Sequence, residues 1–308
     1  MYLFSVKMLN ISNNKNNKNN LTKRILIISI IILSISFFIM IGAMGTVNAD
    51  SSLKIVSNSS SSNVEVSVGY YKWKGFNTGA DISKVKDFKK YNKKGLLTKV
   101  LFNYKDSKGN IKRGIASKGT PIFKFKNSNG PKTMVLSGIH GDEYSSQVAT
   151  LKLINYLNKN RDKIKGTIYI IPISNPKATL KKTRTFFGYD PNRVAGISKS
   201  FTGHIINNII IKEKIRYIGD FHTMIGGSRL IYAAPYSKSI KISKYLAKKT
   251  KAACKLSPNK GTITSTAAKN GIISFTGEVE SKKGIASPNR IFWSLKQMIT
   301  FLKYTKNF

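Results

Sequence analysis

The stretch Thr133-Met134-Val135-Leu136-Ser137-Gly138-Ile139-His140-Gly141-Asp142-Glu143-Tyr144 passes from an apolar run through a glycine-bearing polar turn into a helical pattern. A short apolar run ending in such punctuation reads as a buried strand feeding a helix. The transition recurs downstream. Apolar runs at 167–173, 217–221, 229–233 and 272–277 alternate with helical periodicity at 144–157, 201–212, 239–253 and 289–304. In the last of these, Ile291, Leu295, Met298, Ile299 and Leu302 share one face. Strands separated by helices predict an α/β fold, a mostly parallel or mixed central sheet flanked by helices. Ligands in such sheets gather beyond the carboxyl ends of strands, so chemistry is expected just after these runs.

Upstream the pattern changes. Short alternating runs at 96–104, 111–118 and 121–126 read as strands, with 106–110 as a hairpin turn. A small β-rich segment is therefore expected over 64–114, ahead of the main domain at 115–308. Residues 50–63, rich in Ser and Asn, read as a flexible stalk. Residues 1–49 carry an Asn/Lys tract at 11–20, followed by Lys23, Arg24 and an uncharged, largely apolar stretch from Ile25 to Ala49. That is the form of a signal peptide cleaved after Ala49, or of a membrane anchor that stays. Either places the rest of the chain outside the cytoplasm, because the positive charges precede the apolar run.

Charge and cysteine usage narrow the classes. Lys and Arg number 53 against 13 Asp and Glu, a formal net charge of +40. Such a balance suits nucleic acid, an anionic membrane or an acidic envelope polymer. No tight arginine cluster or basic-aromatic ladder is present, so specific nucleic-acid recognition is not expected. An anionic cell-envelope polymer is kept as a candidate partner. Cys254 is the sole cysteine, which excludes an intrachain disulfide, and it reads as a packed small hydrophobe.

The scarce groups are concentrated. Six of the 13 acids, Asp142, Glu143, Asp190, Asp220, Glu278 and Glu280, sit in segments that follow the apolar runs. Two of the three histidines, His140 and His222, sit there too. His140 and Glu143 lie three apart across a strand-to-helix turn that Gly138 and Gly141 permit, so both side chains can converge on one ion. The plainer alternative is an acid favouring the helix N-terminus beside an exposed histidine. His204 reads as a helix-start or surface residue, and Asp220 as either a strand-end turn residue or a partner of His222. Tyr144, Tyr189 and Tyr232 could each approach such a site, and spacing selects none.

In chain order, His140-x-x-Glu143, Asn175-Pro176-x-Ala178, Thr183-Arg184, Asp190-x-Asn192-Arg193, Asp220-x-His222 and the strand-borne Glu278 form a set. Over roughly 115–305 it resembles the zinc metallocarboxypeptidases, and more closely their succinylglutamate desuccinylase/aspartoacylase branch. The resemblance implies one Zn²⁺ per chain, held by His140, Glu143 and His222 with a position left open for water. It implies Glu278 as general base, with Glu280, of the same strand parity, as its rival. It makes Arg184 the stabiliser of a developing oxyanion, and Asn192 and Arg193 the grip on a substrate carboxylate. Asp190 would orient His140.

Two departures bear on the substrate. With 28 residues after Glu280, no counterpart of the C-terminal β-domain of aspartoacylase-like enzymes is expected, and 256–270 lacks the tyrosine that metallocarboxypeptidases place there. The expectation is an extracytoplasmic zinc hydrolase, secreted or anchored at the cell surface. It would cut an amide beside a free carboxylate in a peptide or cell-envelope peptide. Deacylation of an N-acyl amino acid, or non-catalytic binding on the same fold, are the alternatives.

Overall fold

A computed structural model describes residues 50–51, 54–57, 63–91, 95, 97–127, 130–226 and 228–308. The expected signal peptide or anchor at 1–49 lies outside the described residues. Among the described residues no helix is long and apolar enough to cross a membrane.

The strands are β1 (Asp50–Ser51), β2 (Lys54–Ser57), β3 (Glu65–Lys72), β4 (Tyr104–Lys105), β5 (Ile111–Lys112) and β6 (Thr120–Lys126). They continue as β7 (Lys132–Ser137), β8 (Thr167–Ile171), β9 (Tyr217–Met224), β10 (Leu230–Ala233), β11 (Ala253–Leu256) and β12 (Ile273–Glu280). All but β4 and β5 join one mixed sheet in the order β1-β3-β6-β8-β7-β9-β12-β10-β11, with β2 also paired to β3. The block β8-β7-β9-β12 is parallel. β3 and β6 extend it antiparallel on one side, and β10 pairs antiparallel with β12 on the other.

Strand alternation feeds two cores. Val135, Ile168 and Ile170 point to one face, where Val148, Leu151, Ile242, Leu246, Ile291, Met298 and Phe301 pack from three helices, Tyr144–Lys159, Ser237–Thr250 and Pro288–Tyr304. Met134, Leu136, Tyr169 and Ile171 point to the other, against Phe201, Ile205, Ile209, Ile263 and Ala267. Burying each such Leu, Ile or Phe contributes about 1.5–3 kcal/mol, so the two faces together hold the parallel block rigid.

The N-terminal region differs from its sequence reading. Part of the Ser/Asn-rich stretch pairs antiparallel with β3 as β1 and β2, because an open sheet edge recruits backbone whatever the side chains. Residues 64–114 are not a separate segment: β3 pairs with β6 along seven residues, within the same compact unit as the rest of the described chain. Residues expected as strand at 96–104 instead form a 3₁₀ helix, Leu97–Leu101, while β4 and β5 pair around the expected turn. Asp106 closes that turn by accepting from the backbone N–H groups of Lys108 and Asn110.

Two helices also end earlier than periodicity suggested. Phe201–Ile205 is α-helical but passes into a π-helix, Ile206–Ile211, a run rich in β-branched residues that crowd a tight helix. Ser237–Thr250 stops where Lys251 turns left-handed, and the chain emerges as edge strand β11. Cys254 is therefore exposed on a strand, not packed as a small hydrophobe.

Candidate metal centre

Four elements build the site. The first is the turn after β7. Gly138 adopts φ +72°, and Gly141 is pressed so close to the next segment that a Cβ would lie 2.1 Å from the Ala178 carbonyl carbon. Gly141 N–H donates to the Thr183 carbonyl at 2.8 Å. Gln147, on the first turns of the Tyr144–Lys159 helix, donates to the carbonyls of His140 and Gly141 and accepts from Thr179. The turn is thus fixed from both sides. A glutamine at a helix position that faces the core was the signal for this role.

The second element follows β8. Asn175 caps the Pro176–Lys181 helix by accepting from Ala178 N–H, with Pro176 pre-set at its first turn. The loop beyond carries Arg184, Asp190, Asn192 and Arg193. Its aromatic tip packs on the N-terminal region: Phe76 lies 6.0 Å from Phe186 and 5.6 Å from Phe187, ring centre to ring centre. His204 joins this cluster, buried against Trp73 and Phe76 instead of at the surface, and burial lowers its pKa.

β9 and β12 supply the third and fourth elements. Asp220 and His222 sit two apart on β9 and so share a face. Glu278 on β12 is the register partner of His222.

Together these elements bring the three expected ligands to one point. The Glu143 carboxylate lies 2.8 Å from Nδ1 of His140 through one oxygen and 2.8 Å from Nδ1 of His222 through the other. Thr223 N–H also donates to it at 3.0 Å. Nε2 of His140 is 2.8 Å from Asp190, and Nε2 of His222 is 2.7 Å from Asp220. Asp220 is therefore a partner of His222, not a turn residue. Each carboxylate fixes Nε2 as the protonated nitrogen and leaves both Nδ1 lone pairs aimed at the same place. The three donor atoms lie within 4.8 Å of one another, a buried nitrogen-and-oxygen set that fits zinc with one position open.

Electrostatics follow from this crowding. Burial opposes the charge on Glu143, but the imidazoles of His222 and His140 outweigh it and hold the carboxyl well below the usual range. Burial likewise opposes the Asp190 charge, and the hydrogen bond from His140 together with Arg184 overcomes it. His222 is raised well above its ordinary value, because Asp220 and Glu143 overcome the cost of burial. Glu278 behaves oppositely: desolvation pushes its carboxyl up to about 8, and one of its oxygens is buried without a partner.

A cavity of about 410 Å³ opens over these groups. Glu278, Arg184 and Arg193 all line it. Arg184 is held by Glu143 at 3.2 Å and Asp190 at 3.1 Å. Glu280 is instead paired with Arg290 at 2.8 Å, and it is not among the lining residues. Asn192 also lines the cavity and has structural contacts of its own. Its Oδ1 accepts from Ile263 N–H at 2.9 Å, and its Nδ2 donates to Asp220 Oδ2 at 3.5 Å, so the amide braces the carboxylate that holds His222. Of the three tyrosines, Tyr232 lines the cavity, whereas Tyr144 donates to the Thr179 carbonyl in the core. Met224, Ile225 and residues 257–259 complete walls that no sequence motif marked.

Comparison with known proteins agrees with this geometry. The profile of the succinylglutamate desuccinylase/aspartoacylase catalytic domain matches residues 129–305. Among solved structures, the ectoine utilization protein EutE (DoeB) from Ruegeria pomeroyi aligns with TM-score 0.56 and 15% identity, over 84% of this chain and 71% of that one. A protein from Shewanella amazonensis, named provisionally as a metallopeptidase, aligns at 0.52 and 16%, over 72% and 94%. A succinylglutamate desuccinylase/aspartoacylase from Rhodobacter sphaeroides is 22% identical over 60% of this chain, at TM-score 0.49. This chain spans 59% of that protein's length. No curated protein matches. The profile covers more than half of the sequence and encloses every residue of the His₂Glu centre, and the chain belongs to the succinylglutamate desuccinylase/aspartoacylase catalytic-domain family.

Proposed function

We propose that the protein is an extracytoplasmic zinc hydrolase that cleaves an amide bond beside a free carboxylate, acting on peptides or cell-envelope peptides. The observation that carries this reading is the pairing of a His140-Glu143-His222 centre with an unpaired carboxylate oxygen of Glu278 in one cavity. Bound zinc supplies Lewis acidity and makes water acidic near neutral pH. Glu278 is placed to take a proton from the attacking water and return it to the leaving amine. Arg184 offers guanidinium N–H groups toward charge that develops on the scissile carbonyl. Arg193, 43% exposed at its side chain, is available to a substrate carboxylate.

Location outside the cytoplasm rests on the uncharged stretch after Lys23 and Arg24. We favour peptides over small N-acyl amino acids because the cavity, about 410 Å³, is bordered in part by Met224, Ile225 and Tyr232. Deacylation of N-acyl amino acids would use the same residues. A mixed library of peptides and N-acyl amino acids, read by mass spectrometry of products, tests both. Equal cleavage of carboxyl-amidated and free-acid members would overturn the requirement for a free carboxylate.

A further inference from the structure

Asp142 is not used by any step above, yet it is placed in the cavity wall. Its residue is 3% exposed, its Oδ1 has no hydrogen-bond partner, and it lines the same cavity as Glu278 and Arg193. The nearest cation is Lys283, whose Nζ lies 3.8 Å from Oδ2, beyond hydrogen-bonding distance. The Lys283 side chain is 62% exposed and free to leave. Nothing else about Asp142 is loose: its carbonyl accepts from Gly284 N–H at 2.7 Å, which ties the 281–284 loop to the β7 turn.

A buried carboxylate with an empty lone pair is costly, by about 1–3 kcal/mol for an unsatisfied polar group and more for a charged one. Glu143 is satisfied by two imidazoles and a backbone N–H and Asp190 by His140 and Arg184, while Asp220 holds His222 through Oδ2 and keeps a buried, unpartnered Oδ1 that is not part of the cavity wall. Among these four acids Asp142 is the one that both keeps an unpartnered buried oxygen and lines the cavity, with no other side chain among the described residues within hydrogen-bonding distance of its carboxylate. With 53 basic residues the chain repels cations at long range, so a cationic group could be held only by a short-range contact of this kind.

We propose that Asp142 is a specificity determinant that receives a primary ammonium group carried on the acyl side of the scissile amide, displacing Lys283. The substrate class is then zwitterionic: a free carboxylate toward Arg193 and an amino group toward Asp142, on opposite sides of the bond that is cut. This rests on the hydrolase reading for where the scissile bond lies, but the ammonium contact itself does not require turnover. Hydrogen bonds that involve a charged group are about twice as strong as neutral ones, so the preference is a binding effect.

The test is isothermal titration of the zinc-loaded full chain with glycyl-alanine, β-alanyl-alanine and γ-aminobutyryl-alanine, each beside its N-acetylated form. The three amines differ in reach by one methylene. At least one free amine is expected to bind tenfold or more tightly than its acetylated twin. In Asp142→Asn that ratio should fall to about one. In Lys283→Ala, an exposed position that does not threaten folding, the amine should bind more tightly because its competitor is gone. Equal affinity of all three pairs for the parent protein overturns the proposal. So does a preference that survives Asp142→Asn, or an amine affinity unmoved by Lys283→Ala. Cleavage of the acetylated peptides by the parent is read separately. Its absence would count against the proposed hydrolysis while leaving the ammonium result standing.

Discussion

Glu278 and His222 are register partners on the adjacent parallel strands β12 and β9, so the proposed base and a metal ligand project from the same row of the sheet. Both strands have their partners on either side, with β7 beyond β9 and β10 beyond β12. Their separation is thereby set by sheet geometry and not by a loop. The carboxylate behind His222 belongs to the same arrangement, since Asp220 is paired in register with Thr276 one residue pair back along the face.

The metal should depend on ligands and on the carboxylates behind them to different degrees. His140→Ala and His222→Ala are expected to abolish zinc binding, because two donors remain. Asp220→Asn and Asp190→Asn keep all three ligands but loosen imidazole orientation, and should weaken zinc affinity about 10–100-fold. Elemental analysis and competition with a chromogenic chelator check both. Retention of stoichiometric zinc in either alanine variant would refute the centre.

Glu278→Gln should retain zinc and fold yet lose about 10²-fold or more in kcat, since an amide cannot take the proton. Glu280→Gln is expected to stay within a few-fold of the parent. Its carboxylate is paired with Arg290, an exposed interaction of the class that contributes about 0–1 kcal/mol. Steady-state kinetics on the best substrate from the library decide between them, and the reverse outcome moves the base to Glu280.

Asn192 and Arg193 should separate, although they are neighbours. Asn192→Ala leaves Ile263 N–H without its acceptor and removes a donor from the Asp220 carboxylate behind His222, and is expected to cost about 1–3 kcal/mol of stability and to lower zinc affinity. Arg193→Lys should leave zinc binding and melting temperature unchanged. It should raise KM about tenfold or more for free-acid substrates, because an ammonium lacks the planar fork. If Asn192→Ala instead raises KM alone, its amide grips substrate after all.

Metal-free protein should show a pH dependence traceable to Glu278. Its folded carboxyl sits at about 8, above the ordinary value of 4.5. A raised acid binds its proton more tightly when folded, so its contribution to stability is complete below about 4.5 and is lost as pH rises through 8. The chelated Glu278→Gln variant lacks this loss. Its melting temperature relative to the chelated parent should therefore climb between pH 5 and 8, and a flat difference across that interval would contradict the burial of Glu278.

The sequence by itself determined the parallel block and pointed to the His140-Glu143-His222 group that could hold a metal. Strand runs bounded by glycine and helical periodicity are local signals, and in a chain with 13 acids and three histidines the ordered motifs had few competitors. It also singled out Asp190 and Arg184, which lie on one short loop and meet His140 and Glu143. The motif order put Glu278 ahead of Glu280, but only the tertiary structure gave them different surroundings: Glu278 lines the cavity, while Glu280 is occupied by an Arg290 that comes from a helix. The role of Asp220 depended in the same way on the imidazole ring two residues away. The structural contacts of Asn192 were not legible because its partners, Ile263 and Asp220, come from elements 71 and 28 residues distant. Strand pairing of β1 and β2 was equally hidden, since backbone hydrogen bonds leave no mark in side-chain composition. Local chemistry is written in the order of residues. Partnerships across the sheet follow from packing, which brings together groups that no spacing along the chain relates.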